Sequence, residues 1–212
     1  YCTNKSPPIK VVFDGKAGAG KSTFGKIFAE LFNLVLVDTG YIFKATSSFI
    51  SDKKIFKERP NLIDIKKYLS IINKIEITDL LNKKLDQKSL IKITSMLANN
   101  NRVRLAVNKK IRCFGNFLNS YIFTGRDTGN KVFNKKNDNV IKFFILVSDK
   151  NAALRKDKQL TNTKSNGKFS NTVKRNRDDK KNIILDKNAI IINNNSNDSS
   201  IALKKIYRYI KK

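Results

Sequence analysis

Histidine is absent from this sequence of 212 residues, and cysteine occurs only twice, as Cys2 and Cys113. Zinc sites need several Cys or His ligands at short spacing, and a disulfide framework needs several cysteines. Neither kind of site is therefore expected, and a reducing cytoplasm is the predicted location. The chain begins at Tyr1 without a starting methionine, which is consistent with a trimmed or incomplete N-terminus.

Long apolar runs are also missing. The longest, from Phe143 to Val147, is far shorter than the roughly 20 apolar residues that a helix needs to cross a bilayer. A run of this length is typical of a buried strand. Apolar residues still make up 40% of the chain, which is enough to build the core of one compact domain.

Acidic residues are few, because 17 Asp and Glu stand against 44 Lys and Arg, for a formal net charge of +27. Such a charge suits phosphate, and nucleic-acid binding is one hypothesis. However, the basic residues are dispersed without interleaved aromatic residues. Lys, Asn and Ile are abundant together, as in the polar filler Asn193-Asn194-Asn195, which favours compositional drift in an AT-rich genome. We therefore favour compositional drift over a nucleic-acid partner, although the charge favours small anions such as nucleotides.

A βαβ unit is predicted at the start of the chain. A β-branched strand at 9–13 leads into a glycine-rich loop at 14–20, a helix at 21–32 and a second strand at 34–37. This order requires a parallel sheet with a right-handed crossover. Helical spacing places one apolar stripe of the helix against the sheet, formed by Phe24, Ile27, Phe28 and Leu31.

The rest of the chain is predicted to continue the α/β pattern. Strands are expected at 75–78, 120–123, 140–147 and 189–192. Helices are expected at 62–72, 89–97, 103–117, 149–160 and 199–210. Ser148 or Asp149 is the expected N-cap of the fourth of these helices. The last helix is predicted to face inwards with Ile201, Leu203, Ile206 and Ile210.

The loop after the first predicted strand satisfies the phosphate-binding pattern G-x-x-x-x-G-K-[ST], as Gly15-Lys16-Ala17-Gly18-Ala19-Gly20-Lys21-Ser22. Glycines let successive N–H groups converge on phosphate oxygens, and the following helix adds its dipole. Lys21 suits the β- and γ-phosphates, and the Ser22 hydroxyl suits Mg²⁺. The motif predicts triphosphate binding but leaves kinase, GTPase and motor open. Asp38 and Asp127 are candidates for the metal-binding Asp that many such proteins carry.

Four segments in order resemble the bacterial cytidylate kinase family. The first is the loop from Asp14 to Thr23, with Lys16 where the family has proline. The second is Leu36-Val37-Asp38-Thr39-Gly40 with Tyr41-Ile42-Phe43-Lys44, and the third is Ser95-Met96-Leu97-Ala98 with Val103-Arg104. The fourth is Gly125-Arg126-Asp127-Thr128-Gly129-Asn130 with Val132-Phe133. The stretch 153–160, Ala-Leu-Arg-Lys-Asp-Lys-Gln-Leu, is similar to the start of the family's lid.

The resemblance implies the fold and the reaction. It implies a P-loop three-layer α/β sandwich with a central parallel sheet, whose core comprises residues 7–44, 99–154 and 183–212. A monophosphate-binding insertion is expected at 45–98, and a lid with its following helix at 155–182. The implied reaction moves the γ-phosphoryl group of ATP to CMP or dCMP with Mg²⁺. The implied enzyme is monomeric, with nucleotides as its only partners and no membrane association.

The resemblance also carries the family's site residues onto this sequence. ATP is expected on Gly15, Lys16, Ala17, Gly18, Ala19, Gly20, Lys21, Ser22 and Thr23, with Ser22 on the metal. CMP is expected on Thr39, Lys44, Ser95, Arg104, Arg126, Asp127, Arg175 and Asp179. The expected catalytic residues are Lys21, Arg126 and Arg155. Because a guanidinium binds phosphate bidentately, Lys44 in the family's arginine position should weaken orientation more than charge.

Several of these residues also have structural interpretations. Thr39 with Asp38 would suit the N-cap of the next helix, and Arg104 would suit a solvated surface. Arg126 and Asp127 would suit an ion pair within a turn. These alternatives stay open on the sequence alone.

The acceptor side departs from the family pattern. Where the family has R-D-x-x-D-S-x-R, Arg175 and Asp179 remain, but Asn176 and Asn182 replace an acid and an arginine. The family's I-R-T has become Leu85-Asp86-Gln87. A slower enzyme with a higher KM and a non-catalytic nucleotide- or nucleic-acid-binding chain therefore both remain open. So does another small-molecule P-loop kinase, for instance one that acts on adenylate or shikimate.

Overall fold

A computed structural model describes residues 7–81, 90–135, 138–161, 185–196 and 198–211. The chain divides into two compact units, one of residues 1–36 with 119–212 and the other of residues 37–118. Within the described segments, no helix combines the length and the apolar character that crossing a membrane requires.

The strands form one five-stranded sheet in the order β2-β3-β1-β4-β5. Their bounds are β1 Lys10–Asp14, β2 Val35–Asp38, β3 Tyr121–Thr124, β4 Ile141–Leu146 and β5 Ile190–Asn193. Strand β1 pairs in parallel with β3 and β4, and β4 pairs in parallel with β5. The predicted α/β class with a central parallel sheet is confirmed.

The helices alternate with these strands. Their bounds are α1 Lys21–Phe32, α2 Gly40–Asp52, α3 Leu62–Lys74, α4 Ile91–Asn99, α5 Asn101–Phe117, α6 Thr128–Lys131, α7 Asp149–Thr161 and α8 Ser200–Ile210. A 3₁₀ helix spans Thr78–Leu81. The predicted N-cap of α7 is confirmed, because the Ser148 hydroxyl accepts a hydrogen bond from the Asn151 backbone N–H at 3.2 Å.

The core of the first unit lies between the sheet and helices α1 and α8. Phe13 on the central strand stacks on Phe143 of β4 at 5.3 Å between ring centroids and on Phe28 of α1 at 6.2 Å. Ile206 of α8 is fully buried in the same cluster. Because burial of one such side chain is worth about 1.5–3 kcal/mol, this cluster anchors the strand from which the glycine-rich loop emerges.

The inward stripe of α1 is rotated from the predicted one. Phe24 and Phe28 are buried as expected, but Ile27 and Leu31 are 39% and 58% exposed. Residues four apart lie almost in line along a helix, so the buried row continues instead to Phe32, which packs against the core. Two adjacent apolar rows run along this helix, and the sheet covers only one of them.

A similar correction applies to α8. Ile206 and Ile210 are buried and Leu203 is partly buried, as predicted, but Ile201 is 76% exposed. Ala202 takes its place in the buried row, since it lies four residues before Ile206. The small side chain of Ala202 thus packs in the core cluster at the start of α8.

The predicted strand at 75–78 is wrong. Ile75 is the C-cap of α3, and the chain then turns into the 3₁₀ helix. An Asp79 carboxylate oxygen accepts a hydrogen bond from the Glu76 backbone N–H at 2.8 Å. Side-chain capping of this kind favours a turn, and it outweighs the strand preference of a short β-branched run.

Helix α2 was anticipated only as the helix that Thr39 and Asp38 would cap, and no bounds were predicted for it. It ends in a Schellman motif, in which the Lys54 N–H binds the Ser51 carbonyl at 2.9 Å and the Ile55 N–H binds the Ile50 carbonyl at 3.1 Å. Lys54 adopts a left-handed backbone with φ of 52°. Glycine is the usual residue at such a position, since a Cβ atom is disfavoured there.

We therefore expect Lys54→Gly to stabilise the protein by about 0.5–1 kcal/mol. Glycine relieves the strain of the left-handed backbone, and this gain exceeds the larger conformational entropy that glycine loses on folding. Urea unfolding followed by circular dichroism would measure the change. The matched control is Lys53→Gly one residue earlier, where φ is −80°. That substitution should only destabilise, and equal effects of the two changes would contradict the expectation.

Candidate active site

Several loops of the first unit leave the sheet at the carboxyl ends of its strands. The glycine-rich loop follows β1, the segment from Gly125 to Gly129 follows β3, and Ser148 and Asn194 follow β4 and β5. In parallel sheets these ends form one edge, where ligands of open α/β folds bind. The predicted triphosphate loop therefore lies at the edge where a site is expected.

The glycine-rich loop depends on three glycines with positive φ, which are Gly15 at 143°, Gly18 at 78° and Gly20 at 99°. A β-carbon on Gly15 would lie 2.6 Å from the Ile145 carbonyl oxygen, and one on Gly18 would lie 2.3 Å from the Ala152 carbonyl oxygen. Both distances are far below van der Waals contact. The loop is thus folded directly on the backbone of β4 and α7.

Two lysines of the loop are held in different directions. The Lys21 ammonium donates a hydrogen bond to the Lys16 carbonyl at 2.7 Å, so its side chain curls back over the loop. The Lys16 ammonium instead forms an ion pair with Asp149 at the start of α7, at 2.5 Å. Lys16, which stands where the family has proline, therefore ties the loop to α7.

Asp14 entered the resemblance only as the first residue of the loop segment, but the structure gives it a role of its own. It is buried at the end of β1, and one carboxylate oxygen accepts a hydrogen bond from the Gly129 backbone N–H at 2.6 Å. The other oxygen has no hydrogen-bond partner among the described residues. Asp14 thus joins the strand before the phosphate loop to the segment that carries Arg126 and Asp127.

Burial raises the pKa of Asp14 to about 6. The backbone N–H groups of Gly129 and Thr128 and the charge of Lys21 oppose this rise, and the charge of Asp127 adds to it. Asp14, Lys21 and Asp127 therefore interact electrostatically at the same edge of the sheet.

Asn194 is a second site residue that sequence reasoning missed, since its triplet was interpreted as polar filler. That interpretation is wrong. Asn194 is buried, and its side-chain amide donates a hydrogen bond to the carbonyl of Ala19 in the phosphate loop at 2.8 Å. The signal available in the sequence was its position directly after an apolar strand, where parallel folds place functional residues.

The segment after β3 carries the predicted Arg126 and Asp127, and both are half-buried. Asp127 precedes α6 without capping it through its side chain. The segment is anchored beyond α6 by Phe133, whose ring packs on Tyr121 and Phe123 of β3 at 5.8 and 5.6 Å between centroids. Arg126 and Asp127 therefore follow a rigid strand and precede a fixed aromatic anchor.

Arg155 lies on α7 and is directed towards the loop between β5 and α8. Its guanidinium donates a hydrogen bond to the Ser196 carbonyl at 2.7 Å. The same loop receives the side chain of Asn151, which donates to the Asn195 carbonyl at 2.8 Å. Arg155, the first predicted lid cation, is thus hydrogen-bonded to the loop that follows the last strand.

Four predicted acceptor residues belong to the second unit. Thr39 is buried at the N-cap position of α2 but makes no capping hydrogen bond, and Asp38 instead accepts from the Gly40 N–H at 2.9 Å. The Lys44 ammonium lies 4.2 Å from the centre of the Tyr41 ring. The remaining two are the exposed Ser95 on α4 and the half-buried Arg104 on α5.

The other predicted acceptor residues, Arg175 and Asp179, lie outside the described residues. The same holds for the departures at 85–87, at Asn176 and at Asn182. Their expected roles stay predictions.

Comparison with known proteins points to one family. The model of the cytidylate kinase family matches residues 11–211. A cytidylate kinase of Clostridium botulinum (strain Loch Maree / Type A3) is 29% identical over 177 residues, which cover 78% of this chain and 77% of that protein. A cytidylate kinase of Clostridium perfringens (strain SM101 / Type A) is 30% identical over 162 residues, which cover 72% and 70%.

The fold is also similar to that of solved kinases. Shikimate kinase from Bacteroides thetaiotaomicron superposes with a TM-score of 0.51 and 13% identity, over 96% of this chain and 99% of that one. The superposition supports the P-loop kinase fold. Because the sequence identity is so low, it says nothing of the substrate. The family match instead covers nearly the whole length, including the phosphate loop and the segment after β3. The chain therefore belongs to the cytidylate kinase family.

Proposed function

We propose that this protein is an ATP-dependent cytidylate kinase, which transfers the γ-phosphoryl group of ATP to CMP or dCMP. The observation that carries the proposal is the glycine-lined loop at the sheet edge, tied through Asp14 to the segment of Arg126 and Asp127. This link couples the loop for the triphosphate to a segment that the family uses for the monophosphate. Membership of the cytidylate kinase family supports cytidylate as the acceptor.

The proposed reaction is catalysed mainly by positioning and charge stabilisation, as in other phosphoryl transfers. The loop N–H groups bind the β-phosphate, and Lys21 leaves the Lys16 carbonyl to bind the β- and γ-phosphates. Arg126 stabilises the negative charge of the transferring group. Arg155 closes on the same group, after release from its hydrogen bond to Ser196.

Magnesium is the divalent ion that we propose for this site. The Ser22 hydroxyl is exposed at the second residue of α1 and is suited to ligate it. Magnesium at nucleotide sites is held mainly by phosphate oxygens and water, with one or two ligands from the protein. Bound there, the ion would neutralise charge on the β- and γ-phosphates.

The acceptor nucleotide is proposed to be recognised through its cytosine base and its phosphate. Cytosine presents an amino donor and two acceptors, which suit the Asp127 carboxylate, the Ser95 hydroxyl and the Arg104 guanidinium. Lys44 and Arg126 would hold the acceptor phosphate, with Thr39, Arg175 and Asp179 completing the contacts. We further propose residues 45–98 as the monophosphate-binding region and 155–182 as the lid, in a cytoplasmic monomer.

An acceptor screen tests the proposal. ADP formation from ATP and Mg²⁺ would be measured with CMP, dCMP, UMP, AMP, shikimate or no acceptor. We expect a clear increase with CMP or dCMP, and we expect Asp127→Ala to lower kcat/KM for CMP about 10- to 100-fold through loss of a charged hydrogen bond.

The matched control for this variant is Asp138→Ala, which removes a carboxylate that accepts from the Lys135 N–H in a turn of the same unit. Its kcat/KM should stay within about twofold of that of the wild type, since surface changes rarely matter more. Failure of every pyrimidine monophosphate to accelerate ADP formation would refute the proposal. Acceleration by AMP or shikimate alone would establish a different kinase of the same fold.

A further inference from the structure

We infer that Asn194 is a positioning residue, which orients the peptide between Ala19 and Gly20 so that its N–H faces the bound nucleotide. This inference rests on the proposed binding of ATP by the glycine-rich loop. It concerns a residue outside the phosphate-binding motif, and it reaches the loop from the opposite end of the chain.

The first observation is the direct contact between Asn194 and the loop. Its side-chain nitrogen donates to the Ala19 carbonyl at 2.8 Å, and Asn194 is only 3% exposed. A buried hydrogen bond of this kind is costly to break, because the carbonyl has no water to replace its partner. The Ala19 carbonyl is therefore held on the side of the loop that faces Asn194.

The second step follows from the geometry of a peptide. In a trans peptide, the carbonyl of one residue and the N–H of the next point in opposite directions. Because Asn194 holds the carbonyl of Ala19 on its own side, the N–H of Gly20 points to the other side. The loop therefore presents this N–H away from the core, where an anion would be bound.

The third observation is the close packing of Asn194 against Gly20. A β-carbon on Gly20 would lie 2.6 Å from the side-chain nitrogen of Asn194. Gly20 also has φ of 99°, a conformation that other residues rarely adopt. Asn194 thus occupies the space that a side chain at this glycine would need, and it limits rotation of the adjoining peptide.

Asn194 is itself fixed from two further elements. Its backbone N–H binds the Leu146 carbonyl at the end of β4 at 2.8 Å. Its side-chain oxygen accepts from the Ser199 hydroxyl, before α8, at 3.3 Å. The Ser199 contact directs the amide oxygen away from the loop and the amide nitrogen towards it, so the donor that faces Ala19 is specified.

The test compares three substitutions of Asn194 with the wild type. Asn194→Asp keeps the shape but replaces the donor by a carboxylate facing a carbonyl, Asn194→Ala removes the contact, and Asn194→Ser retains a shorter donor. We expect KM for ATP and the Kd for ADP to rise about tenfold in the Ala variant, more in the Asp variant and less in the Ser variant. KM for CMP should stay within about twofold of the wild-type value.

A loss of stability alone would not produce this pattern. The control is Asn61→Ala, which removes the capping box of α3 in the other unit and should lower the unfolding midpoint without changing KM for ATP. Equal rises in KM for ATP and CMP in the Asn194 variants would overturn the inference, as would an ATP KM within twofold of wild type in Asn194→Asp. If Asn194→Asp does not fold, the test rests on the Kd for ADP of Asn194→Ser, and a value equal to that of the wild type would overturn the inference.

These outcomes separate the inference from the proposed function. Absence of CMP-dependent ADP formation in the wild type would refute the function while leaving the ADP affinity comparison valid. A wild-type enzyme that is active, with Asn194 variants of unchanged ADP affinity, would refute only the positioning role.

Discussion

Replacing Lys21 by Met is expected to lower phosphoryl transfer from ATP to CMP about 10³-fold, because catalysis of this kind depends mainly on fixed charge around the phosphates. The Lys21 ammonium is the only charge removed, and it donates a hydrogen bond to the Lys16 carbonyl of the same loop. The substitution should therefore leave the fold intact. The rate would be measured as CMP-dependent ADP formation at saturating substrates.

The matched control is Lys26→Met, which removes an exposed lysine from the same helix one turn further on. That variant should keep at least about half of the activity, since isolated surface charges contribute little. A Lys21→Met enzyme that retains more than a tenth of wild-type turnover would show that the loop lysine is not the main cation on the phosphates.

Asp14→Asn is expected to make the protein more stable at neutral pH. The pKa of this buried carboxyl is about 6 in the folded protein, whereas its ordinary value is 3.8. Because the folded pKa is the higher one, the folded state binds the proton more tightly, and stability due to this group falls as pH rises from about 3.8 to 6. The difference corresponds to about 3 kcal/mol above that range.

The asparagine variant avoids this cost but leaves an amide nitrogen where the second carboxylate oxygen was, which costs about 1 kcal/mol. We therefore expect a net gain of about 2 kcal/mol at pH 7. Below about pH 4 the gain should give way to a loss of about 1 kcal/mol, since Asp14 is then protonated in both states and only the cost of the amide remains. Urea unfolding of both proteins at a series of pH values would measure the difference.

Asp198→Asn is the control of opposite sign. Hydrogen bonds from the Ser200 hydroxyl and backbone N–H hold the pKa of Asp198 below its usual range. A lowered pKa contributes stability at neutral pH that is lost as the pH falls, so this substitution should destabilise slightly at pH 7. An Asp14→Asn protein that is less stable than the wild type at pH 7 would contradict the conclusion that burial of the ionised Asp14 carboxylate destabilises the folded protein.

The same Asp14→Asn substitution should lower the catalytic rate even though it raises stability. The Asp14 carboxylate accepts a hydrogen bond from the Gly129 N–H, and charged acceptors bind more strongly than neutral ones. With asparagine the segment of Arg126 and Asp127 is held less firmly, and we expect kcat to fall about tenfold. A more stable and slower enzyme would identify Asp14 as a residue kept for function at the expense of stability.

Much of the fold could be predicted, because each strand of the sheet is a short apolar run that is visible in the sequence. Apolar runs after turns predicted the five strands of the sheet to within one or two residues, and the helix at Lys21–Phe32 was predicted with its observed bounds. The rotation of α1 could not be predicted. Ile27 and Leu31 are as apolar as Phe24 and Phe28, and only the position of the sheet decides which row is buried.

The site could be predicted where it is contiguous along the chain. The loop motif predicted Lys21 and the glycines, because spacing in the sequence reflects the geometry of one short loop. The contacts of Asp14 with Gly129 and of Asn194 with Ala19 span 115 and 175 residues. No local pattern relates residues so far apart, and such contacts become visible only once the parallel strands are aligned.

The tight fit of Gly15 and Gly18 against backbone atoms bears on how this sequence can evolve. Lys, Asn and Ile are abundant throughout the chain, and the loop itself has a lysine at position 16, whose side chain reaches Asp149. No such replacement is open to Gly18, since any side chain there would collide with the carbonyl of Ala152. The presence of these two glycines therefore reflects the packing of the loop on β4 and α7, and it would be required for this fold whether or not the chain turns over substrate.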